Sequence, residues 1–197
     1  MGFLEYLTIA LLATWTASEI AISLISLRNQ WRGSAEGSDR FSHVVMWFSI
    51  VPPIWFAVLI RRRLIFPNGF GSFSTLSPLL GYLGCLVIVF GIAIRLAAVG
   101  TLKKQFTITV SIVEKHEIVQ TGIYKTVRHP SYLGLLASLL GFGLASGNWF
   151  SLAALVVLPL AATSYRIRVE ERLLLRHFSL VYQEYASRTK RLLPGIY

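Results

Sequence analysis

The chain has 197 residues, 54% of them hydrophobic and 14% charged, with a mean hydropathy of +0.61. That balance excludes an ordinary soluble domain and describes an integral membrane protein of one domain's length. Its net charge of +10 comes from bases beside apolar runs, not from a basic face with interleaved aromatics, so the implied partner is a membrane and not a nucleic acid.

The first apolar run, Phe3–Leu27, is long enough to cross a bilayer. It lacks a basic leader and a clear cleavage site, which predicts a retained span and not a signal peptide. Glu19 inside it should face the bundle or a polar partner, because an acid at that depth is costly. A polar loop, Asn29–Ser42, follows. A second span over His43–Ile60 contains Pro52-Pro53, expected to kink it, and closes on Arg61-Arg62-Arg63, read as lipid-phosphate anchors or snorkelling side chains. Phe66-Pro67-Asn68-Gly69 reads as a turn. The third span, Leu76–Val99, carries Gly81, Gly84 and Gly91 for close helix packing, and Arg95 near its end is expected to snorkel. Cys85 has no partner cysteine and reads as a small core residue. No metal site is expected.

Gly100–Arg128 is too polar to cross. Phe106–Val113 alternates like a strand, but no second strand is apparent, so an extended segment lying over the protein is expected. Pro130–Tyr165 is apolar and broken at Ser146-Gly147-Asn148; its halves reach only about 23–26 Å at 1.5 Å per residue, a thin or re-entrant hairpin. Either form returns the chain to the side it left. Arg166–Ser187 reads as an amphipathic helix with three faces: apolar Leu174, Phe178, Val181 and Tyr185; basic Arg168, Arg172 and Arg176; and a third line of Arg166, Glu170 and His177. His177 reads as packed or lipid-facing. With five spans, 15 of the 19 Lys/Arg fall on one side, which predicts an outside N-terminus and a cytoplasmic C-terminus. The expected fold is thus an all-α integral membrane protein of about five transmembrane helices, spans 4 and 5 forming a hairpin. One domain covers 1–197, with three spans in 1–100 and a cytoplasmic cofactor-binding region in 101–197.

Two polar clusters flank the hairpin: Thr121–Gly134 (TGIYKTVRHPSYLG) and Arg166–Glu170 (RIRVE). Pro130 suits the first position of a helix, so the N–H groups of Ser131, Tyr132 and Leu133 would be open to an anion. Arg166 and Glu170, at i and i+4, share a face near that helix start. Together they offer an anionic and a cationic subsite, suited to a zwitterionic cofactor with an amino and a carboxylate group.

The segments HEIVQTGIYKTVRHPSYLG, RIRVEE and FSLVYQEYASRTKRLLPGIY closely resemble the isoprenylcysteine carboxyl methyltransferase family over His116–Tyr197. The first three spans match it only in being hydrophobic. Length and span count resemble a compact prokaryotic or archaeal member. The resemblance implies S-adenosylmethionine as cofactor, giving S-adenosylhomocysteine, and methylation of the carboxylate of a prenylated cysteine. It places cofactor contacts at His116, Glu117, Ile118, Val119, Tyr124, His129, Pro130, Ser131, Tyr132 and Glu170. Arg166 would bind the substrate carboxylate, and Arg166, Glu170 and His129 are the candidate catalytic residues. The implied partners are a prenylated lipidic substrate and membrane lipids. Three alternatives stand beside it: a phospholipid amine N-methyltransferase, an NADPH-dependent lipid or sterol reductase, and a non-catalytic membrane component.

Overall fold

The structure, a computed structural model, describes residues 2–31, 36–73, 77–106, 110–112 and 118–193. Five α-helices dominate it: α1 (Phe3–Trp31), α2 (Arg40–Arg61), α3 (Ser77–Leu102), α4 (Pro130–Ser146) and α5 (Trp149–Arg188). Four of them, α1, α2, α3 and α5, are long and apolar enough to cross a membrane. The fifth, α4, has 17 residues and reaches about 25 Å. Phe3, Leu24, Phe48, Trp55, Leu86 and Phe90 all point outward, an arrangement that hydrocarbon tolerates and water does not.

The tightest packing joins α3 to α4, which run antiparallel. A Cβ added at Gly84 would meet the Gly141 carbonyl at 2.6 Å, and one at Gly91 would meet the Gly134 carbonyl at 2.6 Å. These glycines let the two backbones touch, as in small-residue membrane interfaces. Gly81 serves α1 instead, where Leu4 lies against it. Behind this pair, α5 packs on α4 and α2 on α5, while α1 leans on α3. Trp15, Met46, Ile88, Leu135, Leu139, Phe142 and Leu155 form the core.

The hairpin break falls at Gly147, left-handed at φ 71°, and at Asn148, whose side chain caps α5 by accepting from the N–H groups of Phe150 and Ser151. The 66–69 turn is closed by the Gly69 N–H donating to the Phe66 carbonyl at 2.9 Å. α2 continues helical through Pro52 and Pro53.

Three expectations need correction. The alternating segment does have a strand partner: β1 (Glu36–Asp39) pairs antiparallel with β2 (Val110–Ile112), Glu36 opposite Ile112 and Asp39 opposite Val110. The partner was hidden because Glu-Gly-Ser-Asp carries no strand pattern. The amphipathic C-terminal helix does not begin at Arg166: the helix from Trp149 runs on through Arg166 and breaks at Ser179 (φ 43°, ψ −115°), beyond which a second helical stretch reaches Arg188, the two together being α5. That kink changes the helical phase, so the stripe drawn through Leu174, Phe178, Val181 and Tyr185 does not hold as one buried face. Val181 is exposed, whereas Tyr182 and Tyr185 are buried. Finally, Arg95 does not snorkel: it is buried and bonded within the bundle.

Candidate active site

Chain direction at the start of α4 is set by its partner segment. The backbone N–H groups of Arg128 and His129 donate to the carbonyls of Lys190 (2.8 Å) and Arg191 (3.0 Å), and the Lys190 N–H donates to Thr126 at 3.2 Å. A short parallel pairing thereby ties the residues after α5 to the residues before α4. Side chains lock the same junction. Glu171, buried, accepts from Arg128 Nε at 3.0 Å and from Arg191 Nη2 at 2.8 Å, with His129 Nε2 at 3.4 Å. Arg128 Nη1 also donates to the Ala186 and Thr189 carbonyls. Charge-assisted bonds of this kind are about twice as strong as neutral ones.

Within α4 the Tyr132 N–H donates to the His129 carbonyl at 3.1 Å and the Leu133 N–H to the same oxygen at 3.2 Å. The helix therefore uses two of the three donors expected to be open, and the anion-site reading narrows to Ser131. The Tyr132 side chain joins the two clusters. Its hydroxyl donates to Glu170 Oε2 at 2.7 Å and accepts from Arg166 Nε at 2.7 Å, while its ring stacks on His129. Arg166, buried, also donates through Nη1 to Ser42 Oγ at 3.2 Å. Its guanidinium carbon lies 5.9 Å from the centre of the Tyr132 ring.

On the opposite wall, Arg95 of α3 pairs with Glu19 of α1 through Nε and, at 2.8 Å, through Nη2. Arg95 Nη1 reaches the Ser131 carbonyl at 3.0 Å and hydroxyl at 2.9 Å. Glu19 thus has the polar partner expected of it, and three helices meet there.

Both walls face one cavity of about 920 Å³. Its polar end is bounded by Glu19, Arg95, Tyr124, Tyr132, Arg166 and Glu170; an apolar arm follows Trp15, Met46, Trp47, Ile50, Ile54 and Trp55. Along α2 the lining extends from His43 to Val58, about 22 Å at 1.5 Å per residue, and Arg62 lines the cavity just beyond the helix end. α1 and α2 border this arm but pack on different neighbours, α3 and α5 respectively. Burial, then the Glu170 charge, push the Tyr124 phenol well above its usual range, so it stays neutral at physiological pH.

Of the residues proposed from sequence, Ile118, Val119, Tyr124, His129, Ser131, Tyr132, Arg166 and Glu170 all line the cavity. Pro130 is buried at the helix start and is absent from the lining. His116 and Glu117 lie outside the described residues. His177 is exposed. Sequence reasoning missed Glu171 as a hub, although its Glu-Glu neighbour was in view, and missed Arg95, His43, Tyr182 and Tyr185. Among the described residues, four buried side-chain polar atoms lack a partner; three of them, Trp15 Nε1, His43 Nδ1 and Tyr182 Oη, belong to residues lining the cavity.

The sequence profile of the Isoprenylcysteine carboxyl methyltransferase (ICMT) family matches residues 82–176, the stretch that supplies α4 and the Arg166–Glu171 wall. Over that stretch the chain is similar to the isoprenylcysteine carboxyl methyltransferases. The chain is 34% identical over 146 residues to the protein-S-isoprenylcysteine O-methyltransferase of Saccharomyces cerevisiae, covering 72% of this chain and 61% of that protein. It is 36% identical over 106 residues to protein-S-isoprenylcysteine O-methyltransferase A of Arabidopsis thaliana, covering 53% of this chain and 54% of the relative. The chain therefore spans little more than half the length of these relatives. A solved structure described as the eukaryotic intramembrane Ras methyltransferase ICMT shares the fold, with a TM-score of 0.54 and 23% identity over 79% of this chain and 52% of that one. Its fold and the apolar helices here make this a multi-pass membrane protein.

Proposed function

We propose that this chain transfers a methyl group from S-adenosylmethionine to the carboxylate of an isoprenylcysteine or similar lipidic acid. The observation that carries the reading is the Arg166–Tyr132–Glu170 chain of bonds at the head of a cavity whose other arm is apolar. A head group with a carboxylate and a long hydrocarbon tail matches that division. The cavity's polar end also fits the cofactor. Glu170 offers a carboxylate to an ammonium group, and Tyr124, Ile118 and Val119 supply a neutral wall.

When bound, S-adenosylmethionine would supply a sulfonium methyl: the carboxylate oxygen–carbon bond forms as the sulfur–carbon bond breaks, leaving a neutral ester and a neutral thioether. An acid is already ionised at neutral pH, so the chain need supply no general base. Its task is placement and removal of water. Arg166 would hold the acceptor carboxylate with a planar fork suited to two oxygens. Tyr132, held by Glu170, would fix the orientation of that fork. The apolar arm would take the tail, entering from the bilayer between α1 and α2. Orientation follows the Lys/Arg bias, with the N-terminus outside and the site cytoplasmic. The pairing of β1 with β2 supports this by gathering the α1–α2 and α3–α4 connections at one end.

The test uses detergent-purified full chain, methyl-labelled S-adenosylmethionine and an N-acetylated farnesylcysteine. Base-labile label in the lipid product is expected, together with thermal stabilisation by S-adenosylhomocysteine and none by NADPH. Stabilisation by NADPH alone, with no ester formed, would overturn the proposal.

A further inference from the structure

The lipid-facing side of α5 does not end where the helix leaves the bilayer. At about 100° per residue, Val157, Leu158 and Tyr165 of the apolar half share one sector, about 100° wide, with Arg168, Arg172 and Arg176. All six side chains are exposed, and the helical phase holds across them because the break at Ser179 comes later. Tyr165 meets Phe41 of α2 edge-on, ring centres 6.4 Å apart, and both rings are exposed. Such aromatics mark the head-group level of a membrane. Measured along the axis from Tyr165, Arg168 stands about 4.5 Å further out, Arg172 about 10 Å and Arg176 about 16 Å. The head-group layer is roughly 5–7 Å deep on each side of the hydrocarbon. Long side chains reach back toward their preferred level, so Arg168 and Arg172 can enter that layer. Arg176 lies within about one Debye length of it, 8–10 Å. Among the described residues none of the three pairs with a carboxylate; the one side-chain bond is Arg172 Nε donating to the Arg168 carbonyl at 3.2 Å. Like charges one turn apart repel, so an unpaired row of this kind is stabilised by anions.

We propose that Arg168, Arg172 and Arg176 form a docking line for anionic phospholipid head groups on the bilayer face from which α5 emerges. The partner is a lipid because the line continues the sector that meets hydrocarbon, which places it over the surrounding bilayer and not over the protein. Guanidinium forks suit phosphate oxygens. Arg166 and Glu170, which line the cavity, lie on the opposite side of the same helix. Lipid held on the outer side would therefore fix the height of α5 in the bilayer, and with it the level at which the polar end of the cavity meets the head groups. Lipid capture at this line is independent of the reaction proposed above.

The experiment places the full chain in lipid nanodiscs and measures the association of spin-labelled phosphatidylglycerol relative to spin-labelled phosphatidylcholine. Wild type is expected to prefer the anionic lipid, the preference falling as salt rises. One base at an anionic surface contributes roughly a fivefold preference, so a triple variant carrying Arg168→Gln, Arg172→Gln and Arg176→Gln should lose at least that much. The triple variant with Arg168→Lys, Arg172→Lys and Arg176→Lys keeps the charge and should keep most of the preference. An unchanged preference in the glutamine variant overturns the proposal. Displacement of the labelled lipid by free glycerol phosphate would make the ligand a soluble anion and overturn the lipid assignment. Binding of a polyglutamate peptide in pure phosphatidylcholine discs, with no preference for phosphatidylglycerol, would give the line to an acidic protein segment and overturn it equally. If the glutamine triple variant fails to fold, the three single variants decide: each should lose part of the preference, and no loss in any of them overturns the proposal.

Discussion

Tyr132 donates its hydroxyl to Glu170 at 2.7 Å across 38 residues of sequence. Because the same oxygen accepts from Arg166, this one phenol couples the two charged residues that i, i+4 spacing alone would pair only weakly. Removing it leaves a buried guanidinium N–H without its acceptor, at a cost of about 1–3 kcal/mol. Tyr132→Phe is therefore expected to lower the melting temperature by a few degrees and to cut methyl transfer at least tenfold. Thermal melts and labelled-methyl assays check both; full activity would show that Arg166 is oriented without the phenol.

The Glu19–Arg95 pair ties loosely packed α1 to the start of α4 through Ser131. Losing one partner strands a buried charge, expected to cost about 3 kcal/mol or more, while replacing both by apolar residues is far milder. Glu19→Leu and Arg95→Leu should each destabilise strongly, and the double variant should recover much of the loss. A double-mutant cycle on detergent-unfolding midpoints measures the coupling; additive losses would mean that the pair contributes little.

Glu171 holds Arg128, His129 and Arg191 at once. Glu171→Gln keeps the shape and removes the charge, so the residues after α5 should loosen from the residues before α4. Faster hydrogen exchange at Arg128, His129 and Lys190 is expected, their N–H groups being the ones bonded across this junction. Unchanged protection there would locate the clasp in the backbone pairing alone.

Two glycines of α3 make a matched contrast. At Gly91 an added Cβ would meet Ser138 Oγ at 2.4 Å and the Gly134 carbonyl at 2.6 Å, whereas at Gly100 it would meet nothing within 4 Å. Gly91→Ala should prise α3 from α4 and lower the melting temperature sharply. Gly100→Ala should be neutral or stabilise by about 0.5–1 kcal/mol, since helical glycine carries an entropic cost. Equal effects at both positions would contradict the close approach.

Much of this architecture was legible along the chain. Apolar runs of membrane length marked α1, α2 and α3, and Ser146-Gly147-Asn148 marked the hairpin corner because left-handed glycine and an asparagine cap are local chemistry. The RHPSY and RIRVE segments marked one wall of the cavity, because charges beside apolar spans stand out, while the opposite wall of Arg95 and Glu19 was not marked. Arg95 was misread because snorkelling and pairing look alike until the position of Glu19 is known. β1 was missed because its pairing is long-range and its composition is a loop's. Tyr182 was missed because the Ser179 backbone breaks the helical phase on which a face argument depends.

The sequence by itself thus determined which stretches enter the membrane, where the chain turns, and which residue types bear charge near the edge. These follow from hydropathy, local propensity and capping, each a property of a few consecutive residues. Only the tertiary structure decided which charges meet. It placed Tyr132 between Arg166 and Glu170, and Glu19 on Arg95. The reason is physical: an ion pair or hydrogen bond depends on ångström-scale separations between helices, and hydrophobic burial sets those separations without regard to distance along the chain.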